Sequence, residues 1–455
     1  MAGRFIGILK DNRDHVRTAA NMAWPSVLES FFVALAGMVD SLMVSSMGAA
    51  AVAAVGLTTQ PKFIGLSMFI AMNVSVSALV ARRKGQQDRY GANQVLLMAL
   101  TFTVAAGAVV SLLCVAFADA IIDLCGSQQD THESAVLYFR IIMGGMMFSI
   151  VSLVINAAQR GSGNTKIAMR TNVTSNVINM IGNYLLIQGH FGFPALGIRG
   201  AAMATVFGTV IACIMSVKSI SGEGTFVSIP YMIGHRVRLA VKPIKNMAKI
   251  SSSVFTEQIL MRIGFMATAV MTATLGTAAF AAHQVGMNIL SLSFSFGDGM
   301  QAAAVALIGQ SLGEQDVEKA KLYGTICQRM GNGISLCLAV IYLLGGRALY
   351  RLYFVEEDIV SMGVMIMQIM VIVVMLQISQ VIYMGCLRGA GDVLFTIVAS
   401  STSVTVVRTV ASYVFCFVLD LGLLGIWLGI ASDQLSRFIF TQIRFRSGKW
   451  TQIKI

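Results

Sequence analysis

Gly48-Ala-Ala-Ala-Val-Ala-Ala54 returns 228 residues later as Gly276-Thr-Ala-Ala-Phe-Ala-Ala282. The same offset carries Gly85-Gln-Gln-Asp88 to Gly313-Glu-Gln-Asp316 and Arg160-Gly-Ser-Gly163 to Arg388-Gly-Ala-Gly391. It also carries Leu196-Gly-Ile198 to Leu424-Gly-Ile426. One constant offset over four separate motifs marks an internal duplication. In a strongly apolar chain, duplication points to a transporter built from two related halves, with its binding site between or within them.

Composition supports the apolar premise. Of 455 residues, 56% are hydrophobic and 12% charged, against about 25% charged in a soluble protein. So much apolar surface implies an integral membrane protein, where backbone hydrogen bonding allows only helices or a closed barrel. The apolar runs are too long and uniform for the alternating strands of a barrel. The net charge of +12 does not mark a nucleic-acid face, because the basic residues fall in alternate loops. Seven scattered cysteines form no C-x-x-C pair or metal spacing and are read as small core residues. No cleavable signal is visible, and the first 20 residues look like an interfacial lead-in.

A span needs roughly 20 apolar residues. Twelve are expected, near 24–47, 53–81, 92–118, 134–158, 167–189, 200–220, 249–274, 278–308, 319–345, 357–385, 393–417 and 425–442. The fold class is therefore all-α and membrane-embedded, with two six-helix lobes related by a pseudo-two-fold axis along the membrane normal. The expected organisation is a first lobe 1–220, a cytoplasmic linker 221–248, a second lobe 249–442 and a basic tail 443–455. Arg4, Lys10, Arg82, Arg83, Lys84, Arg89, Arg160, Lys166, Lys242, Lys245, Arg444 and Lys454 fall in inner segments, while outer loops hold only Arg199, Arg347 and Arg351. That asymmetry places both termini in the cytoplasm. The repeated Arg-Gly-x-Gly and Gly-x-Gln-Asp segments are read as turns and caps.

The scaffold is duplicated but the chemistry is not. Asp40, within the first span, has Thr268 as its counterpart. An ionisable residue inside a membrane marks a pathway by default. Glu29, eleven residues earlier on nearly the same face, is repeated as Glu257. On the fifth span Asn172, Asn176, Asn179 and Asn183 form one helical stripe. Its counterparts are Ser400, Val404, Val407 and Ala411, and Asn156 on the fourth span is a candidate to join it. The simpler alternative is that these amides only bond neighbouring helices. Lys62 follows Pro61 at a depth like that of Asp40, and needs a partner or snorkels outwards. Arg140, Arg262 and Arg408 are assigned to interfaces or helix pairing. Pro25 is a candidate bending point of the first span, or simply its helix start. The 29 methionines suit a pliable cavity, though most are expected in ordinary packing.

These residues together resemble the MATE family, the multidrug and toxic compound extrusion transporters, with mixed DinF-like and NorM-like features. Met38-Val-Asp-Ser-Leu-Met-Val44 with Gly48 and Ala53-Ala-Val-Gly56 resembles the family's first-span signature. Phe280-Ala-Ala-His-Gln-Val285 resembles its eighth-span signature. Asn183-Tyr-Leu-Leu-Ile187, Phe191-Gly-Phe-Pro-Ala-Leu-Gly197 and Leu387-Arg-Gly-Ala-Gly391 resemble further connections. The resemblance implies a V-shaped pair of lobes in the bacterial inner membrane, exporting organic cations or amphipathic drugs in exchange for protons or sodium. It implies that Asp40 is the coupling carboxylate, that Pro25 bends the first span, and that Asn156 and Asn179 border the first-lobe pocket.

The chain departs from the family where DinF-like members carry a second carboxylate, here Asn183. It also departs where NorM-like members carry a tenth-span acid, here Gln380. Their seventh-span acid lies about a turn from Glu257. Proton coupling through Asp40 is therefore favoured over a sodium site in the second lobe, where Glu257, Gln284 and Gln380 are the polar candidates. No cofactor or metal is expected, and a single chain already supplies both lobes, so a monomer is expected. The rival reading is a flippase for lipid-linked precursors, kept open by Lys62, Arg262 and Arg408. An enzyme is disfavoured, because five scattered histidines offer no catalytic cluster.

Overall fold

The computed structural model describes residues 13–47, 49–125, 127, 129–222, 224–239 and 241–453. Arg4, Lys10, Gly48 and Lys454 lie outside the described residues, and at Lys242 and Lys245 only the backbone is described. The long helices of the first repeat are α1 Arg13–Ser45, α2 Ala49–Gly85, α3 Arg89–Ala116, α4, α5 Thr165–Gln188 and α6 Ile198–Ile220. Here α4 is a pair, Gln129–Gly144 and Met146–Gly161, bent by 45° at the break. The second repeat gives α7 Val241–Ala273, α8 Thr277–Gly313, α9 Val317–Arg351, α10 Glu357–Gly389, α11 Val393–Val418 and α12 Gly422–Arg446. Six helices thus fall in each repeat, and no strand occurs among the described residues.

Among the described residues, eight helices are long and apolar enough to cross a membrane, or nine with the bent pair α4. The three long helices below that apolarity are α5, α8 and α12. Each carries polar groups within its length: the asparagine stripe on α5, His283 and Asp298 on α8, and Asp433 and Arg437 on α12. A helix can be this polar at lipid depth only if those groups turn to the protein interior.

Two helices begin well before the expected spans. α1 is already helical at Arg13, so from there the lead-in runs into the first span as one helix and Pro25 is twelve residues inside it. The alternative of Pro25 as a simple helix start is thereby removed. α7 is already helical at Val241, eight residues before the expected 249. Apolarity marks where lipid contact begins, whereas hydrogen bonding continues the helix into polar sequence.

Contacts divide the described chain into a unit of Phe31–Ser252 and a unit of residues 13–30 with 253–453. The divisions cut α1 and α7 rather than the linker. Ala19, Met22 and Ala23 belong to the buried core built mainly from α8, α9, α10 and α12. A side-chain carbon on Gly299 would strike the Ser26–Val27 backbone, so glycine lets α8 and α1 touch there. In the other unit, Ser251 of α7 bonds Ser75 of α2 at 2.7 Å. The linker is tied down as well. Arg89 donates to the Thr225 and Phe226 carbonyls at 2.8 and 3.2 Å, and Asn93 bonds both Phe226 and Ser228.

The repeated motifs build the same turns twice. α2 and α8 end at Gly85 and Gly313, and the chain then passes through Gln87 and Gln315 at positive φ of 55° and 62°. Asp88 and Asp316 follow as N-caps, accepting from Gly91 N at 2.8 Å and Lys319 N at 2.9 Å. Gly163 and Gly391, at φ 93° and 88°, close the Arg-Gly-x-Gly turns.

Candidate functional site

α1 and α5 bring the two first-half signals together. Asn183 is fully buried, and its Nδ2 donates to Asp40 Oδ1. Lys62 of α2 and Tyr138 of α4 are near enough to interact electrostatically with the same carboxylate. No salt bridge of 4.0 Å or less joins Asp40 to Lys62 among the described residues, so they share a neighbourhood rather than a direct ion pair. Asn183 Oδ1 is buried with no hydrogen-bond partner. A cleft of about 270 Å³ lies between Val39, Met43 and Ser46 of α1 and Asn183, Ile187 and Gln188 of α5. Asn183 is thus both partner to the carboxylate and part of the cleft wall. The second-half counterpart of Asp40, Thr268, only donates to Gly264 O on its own helix at 2.9 Å.

The rest of the stripe divides. Asn179 Nδ2 donates to Thr205 Oγ1 of α6 at 3.0 Å, a helix-pairing bond. Asn172 and Asn176 are half-buried. Asn156 does not join the Asp40 group: its hydrogen bonds run to Ser152 of α4 and Ser216 of α6, at 3.4 and 3.2 Å. Glu29, 7% exposed, and Pro25 lie in the part of α1 grouped with the second half.

The second-half candidates are not brought together. Arg388 Nη2 donates to both oxygens of Glu257, at 2.8 and 2.7 Å, and Glu257 is 1% exposed. Gln380 Nε2 reaches Gln434 Oε1 at 3.5 Å, and Gln284 is exposed. Among the described residues no three His, Cys, Asp or Glu side chains group as metal ligands. Arg388 belongs to the repeated turn motif, and its pairing was missed because that motif was read only as a turn. The acid repeated as Glu29 and Glu257 and the arginine repeated as Arg160 and Arg388 were the available signal. Nothing in the sequence singled out Tyr138.

The MatE family profile matches residues 25–185 and again 254–414, once in each repeat. The chain belongs to the MatE family. It is therefore a membrane transporter and not an enzyme. This MatE chain is 25% identical to "Probable multidrug resistance protein NorM" of Thermotoga maritima, over 94% of this chain and 92% of that one. It is 23% identical to "Uncharacterized transporter YisQ" of Bacillus subtilis, over 98% and 97%. Among solved structures, "Crystal structure of MATE in the straight conformation" superposes with a TM-score of 0.88 at 21% identity, covering 96% of this chain and 97% of that one. "Outward-facing conformation of a multidrug resistance MATE family transporter of the MOP superfamily" gives 0.87 at 21%, over 96% and 97%. The MatE fold thus holds across both halves.

Proposed function

We propose that this MatE transporter is a multidrug antiporter, exporting organic cations or amphipathic drugs in exchange for protons taken up by Asp40. The observation carrying this reading is the hydrogen bond to Asp40 from Asn183, which itself lines the cleft. An amide holds both a donor and an acceptor. In the ionised state the Asn183 N–H satisfies the carboxylate. When Asp40 gains a proton its O–H becomes a donor, and a half-turn of the amide offers Asn183 Oδ1, which now lacks a partner. The carboxyl group is then hydrogen-bonded in both protonation states, so the proton comes and goes without stranding Asp40. Cationic cargo and proton are drawn by the same negative charge, and gaining one weakens the hold on the other.

Alternating access needs a free-energy difference between states, supplied here by the protonation of Asp40. Pro25, inside α1, has no N–H for the helix ladder and gives the helix a place to bend. The protein acts without cofactor, as a monomer of the bacterial inner membrane with both termini in the cytoplasm. Sodium is the alternative coupling ion. The flippase reading loses the support of Lys62, which shares the neighbourhood of Asp40.

The test is drug efflux in inverted vesicles under separately imposed proton and sodium gradients. The expected result is proton-driven efflux in the wild type and none in Asp40→Asn, with folding retained. Undiminished proton-driven efflux in Asp40→Asn would overturn the assignment.

A further inference from the structure

The second half has charged chemistry of its own that the exchange reading does not use. Arg408 of α11 meets Asp433 and Arg437 of α12. The first-half counterparts are Met180, Thr205 and Thr209, so the cluster is an addition to the duplicated scaffold, as Asp40 is in the first half. Arg437 Nη2 lies 2.8 Å from Asp433 Oδ2, and Arg408 Nη1 lies 3.8 Å from the same oxygen. The side chains of Arg408, Asp433 and Arg437 are 2%, 0% and 6% exposed. Arg408 and Asp433 stand at least ten residues from either end of their helices, about 15 Å of rise. That is the middle of a hydrocarbon core about 30 Å thick.

The charges do not balance. Two guanidiniums face one carboxylate, and arginine does not shed its proton in proteins. The charges felt by Arg408 are those of Asp433 and Arg437, and His283 in turn feels Arg408. The other neighbours of Arg408 are weak partners, the Phe265 ring at 4.8 Å and the Met287 sulfur at 3.9 Å. Arg408 Nε and Arg437 Nε are buried N–H groups with no hydrogen-bond partner, and Asp433 Oδ1 is a buried acceptor without one. An uncompensated buried charge with idle donors is costly and calls for a counter-charge. The backbone is unusual at this point as well. Residues Thr402–Arg408 form a π-helical segment that ends on Arg408, a local widening often found at functional sites.

We infer that the Arg408–Asp433–Arg437 cluster binds a small monovalent anion, with chloride the abundant example. Asp433 neutralises one guanidinium and the anion neutralises the other, accepting from the idle N–H groups. Near-complete burial restricts the ligand to a small ion. The site is separate from Asp40 and does not depend on which ion drives export.

The test uses the full-length protein in detergent, with chloride titrated against gluconate at constant ionic strength. The expected result is a saturable rise in the unfolding temperature of about 2–4 °C in the wild type. Arg408→Gln, which brings the net charge to zero, abolishes the rise. Arg437→Gln does the same and serves where Arg408→Gln does not fold. Asp433→Asn, which leaves two positive charges, keeps the response and saturates at lower chloride. Asp40→Asn keeps it unchanged. Crystals grown in bromide show an anomalous peak beside Arg408. A wild type without a saturable halide response, or both arginine variants responding normally, overturns the proposal. So does loss of proton-driven efflux in Asp433→Asn without any halide response, which would make Asp433 a proton carrier instead.

Discussion

Asn183 and Arg388 show how a buried charge is managed in each half. Asn183 gives Asp40 a hydrogen bond that leucine cannot replace. Hydrogen bonds to charged groups contribute about 1.5–3 kcal/mol, so Asn183→Leu is expected to cut proton-driven efflux by about tenfold or more while the protein still folds. Asn183→Gln, which keeps donor and acceptor, should recover part of it. Efflux from inverted vesicles at matched protein levels checks both, and normal efflux in Asn183→Leu would deny the pair its role. Glu257 and Arg388 carry the opposite case, a paired charge with no repeat-specific chemistry. Glu257→Gln leaves the guanidinium buried at 11% side-chain exposure without its counter-charge, at a cost of about 3–5 kcal/mol. Thermal unfolding in detergent should show a lowered midpoint, and Glu257→Gln with Arg388→Met should recover part of it. Asp40 and Asn183 were readable in the sequence because each breaks the repeat. Arg388 with Glu257 was not, because both obey it. Asp433 and Arg437 escaped notice because periodicity alone does not say that they face Arg408.

Helices were readable in number and order, but the starts of α1 and α7 were not. Apolar length locates the stretch that lipid can cover, and α1 and α7 continue well beyond it as polar helix. This extension changes the meaning of Pro25, which becomes a gap in the hydrogen-bond ladder of a continuous helix rather than its first turn. A proline in a helix interior costs about 3 kcal/mol. Pro25→Ala is therefore expected to preserve or raise thermal stability while slowing drug efflux several-fold, because bending of α1 is opposed. Faster or unchanged turnover in vesicles would show that α1 does not bend there. Gly299 tests the contact on the same helix. Gly299→Ala places a carbon against the Ser26–Val27 backbone, where overpacking costs about 1–3 kcal/mol. Gly333→Ala has open space around it and should be neutral or stabilising by about 0.5–1 kcal/mol. Melting curves of the two variants measured side by side separate a packing effect from a general effect of replacing helical glycine.

The duplication also determines what each half needs in order to fold. Contacts group residues 13–30 with the second repeat and residues 241–252 with the first. These are matching stretches of the two copies, so each unit completes itself with the start of the other repeat. Ala19, Met22 and Ala23, 0%, 8% and 1% exposed, are part of the second unit's core. A chain divided in the linker between Ser221 and Ser228 gives a second fragment without these residues, whose absence opens a cavity and exposes apolar surface. The expected outcome is that either fragment alone aggregates on size-exclusion chromatography. Co-expressed fragments should elute as one monodisperse species and restore efflux, because every segment is present and only the covalent link is missing. A second fragment that is monodisperse and thermally stable on its own would contradict this, since its core would have closed without the residues that fill it here.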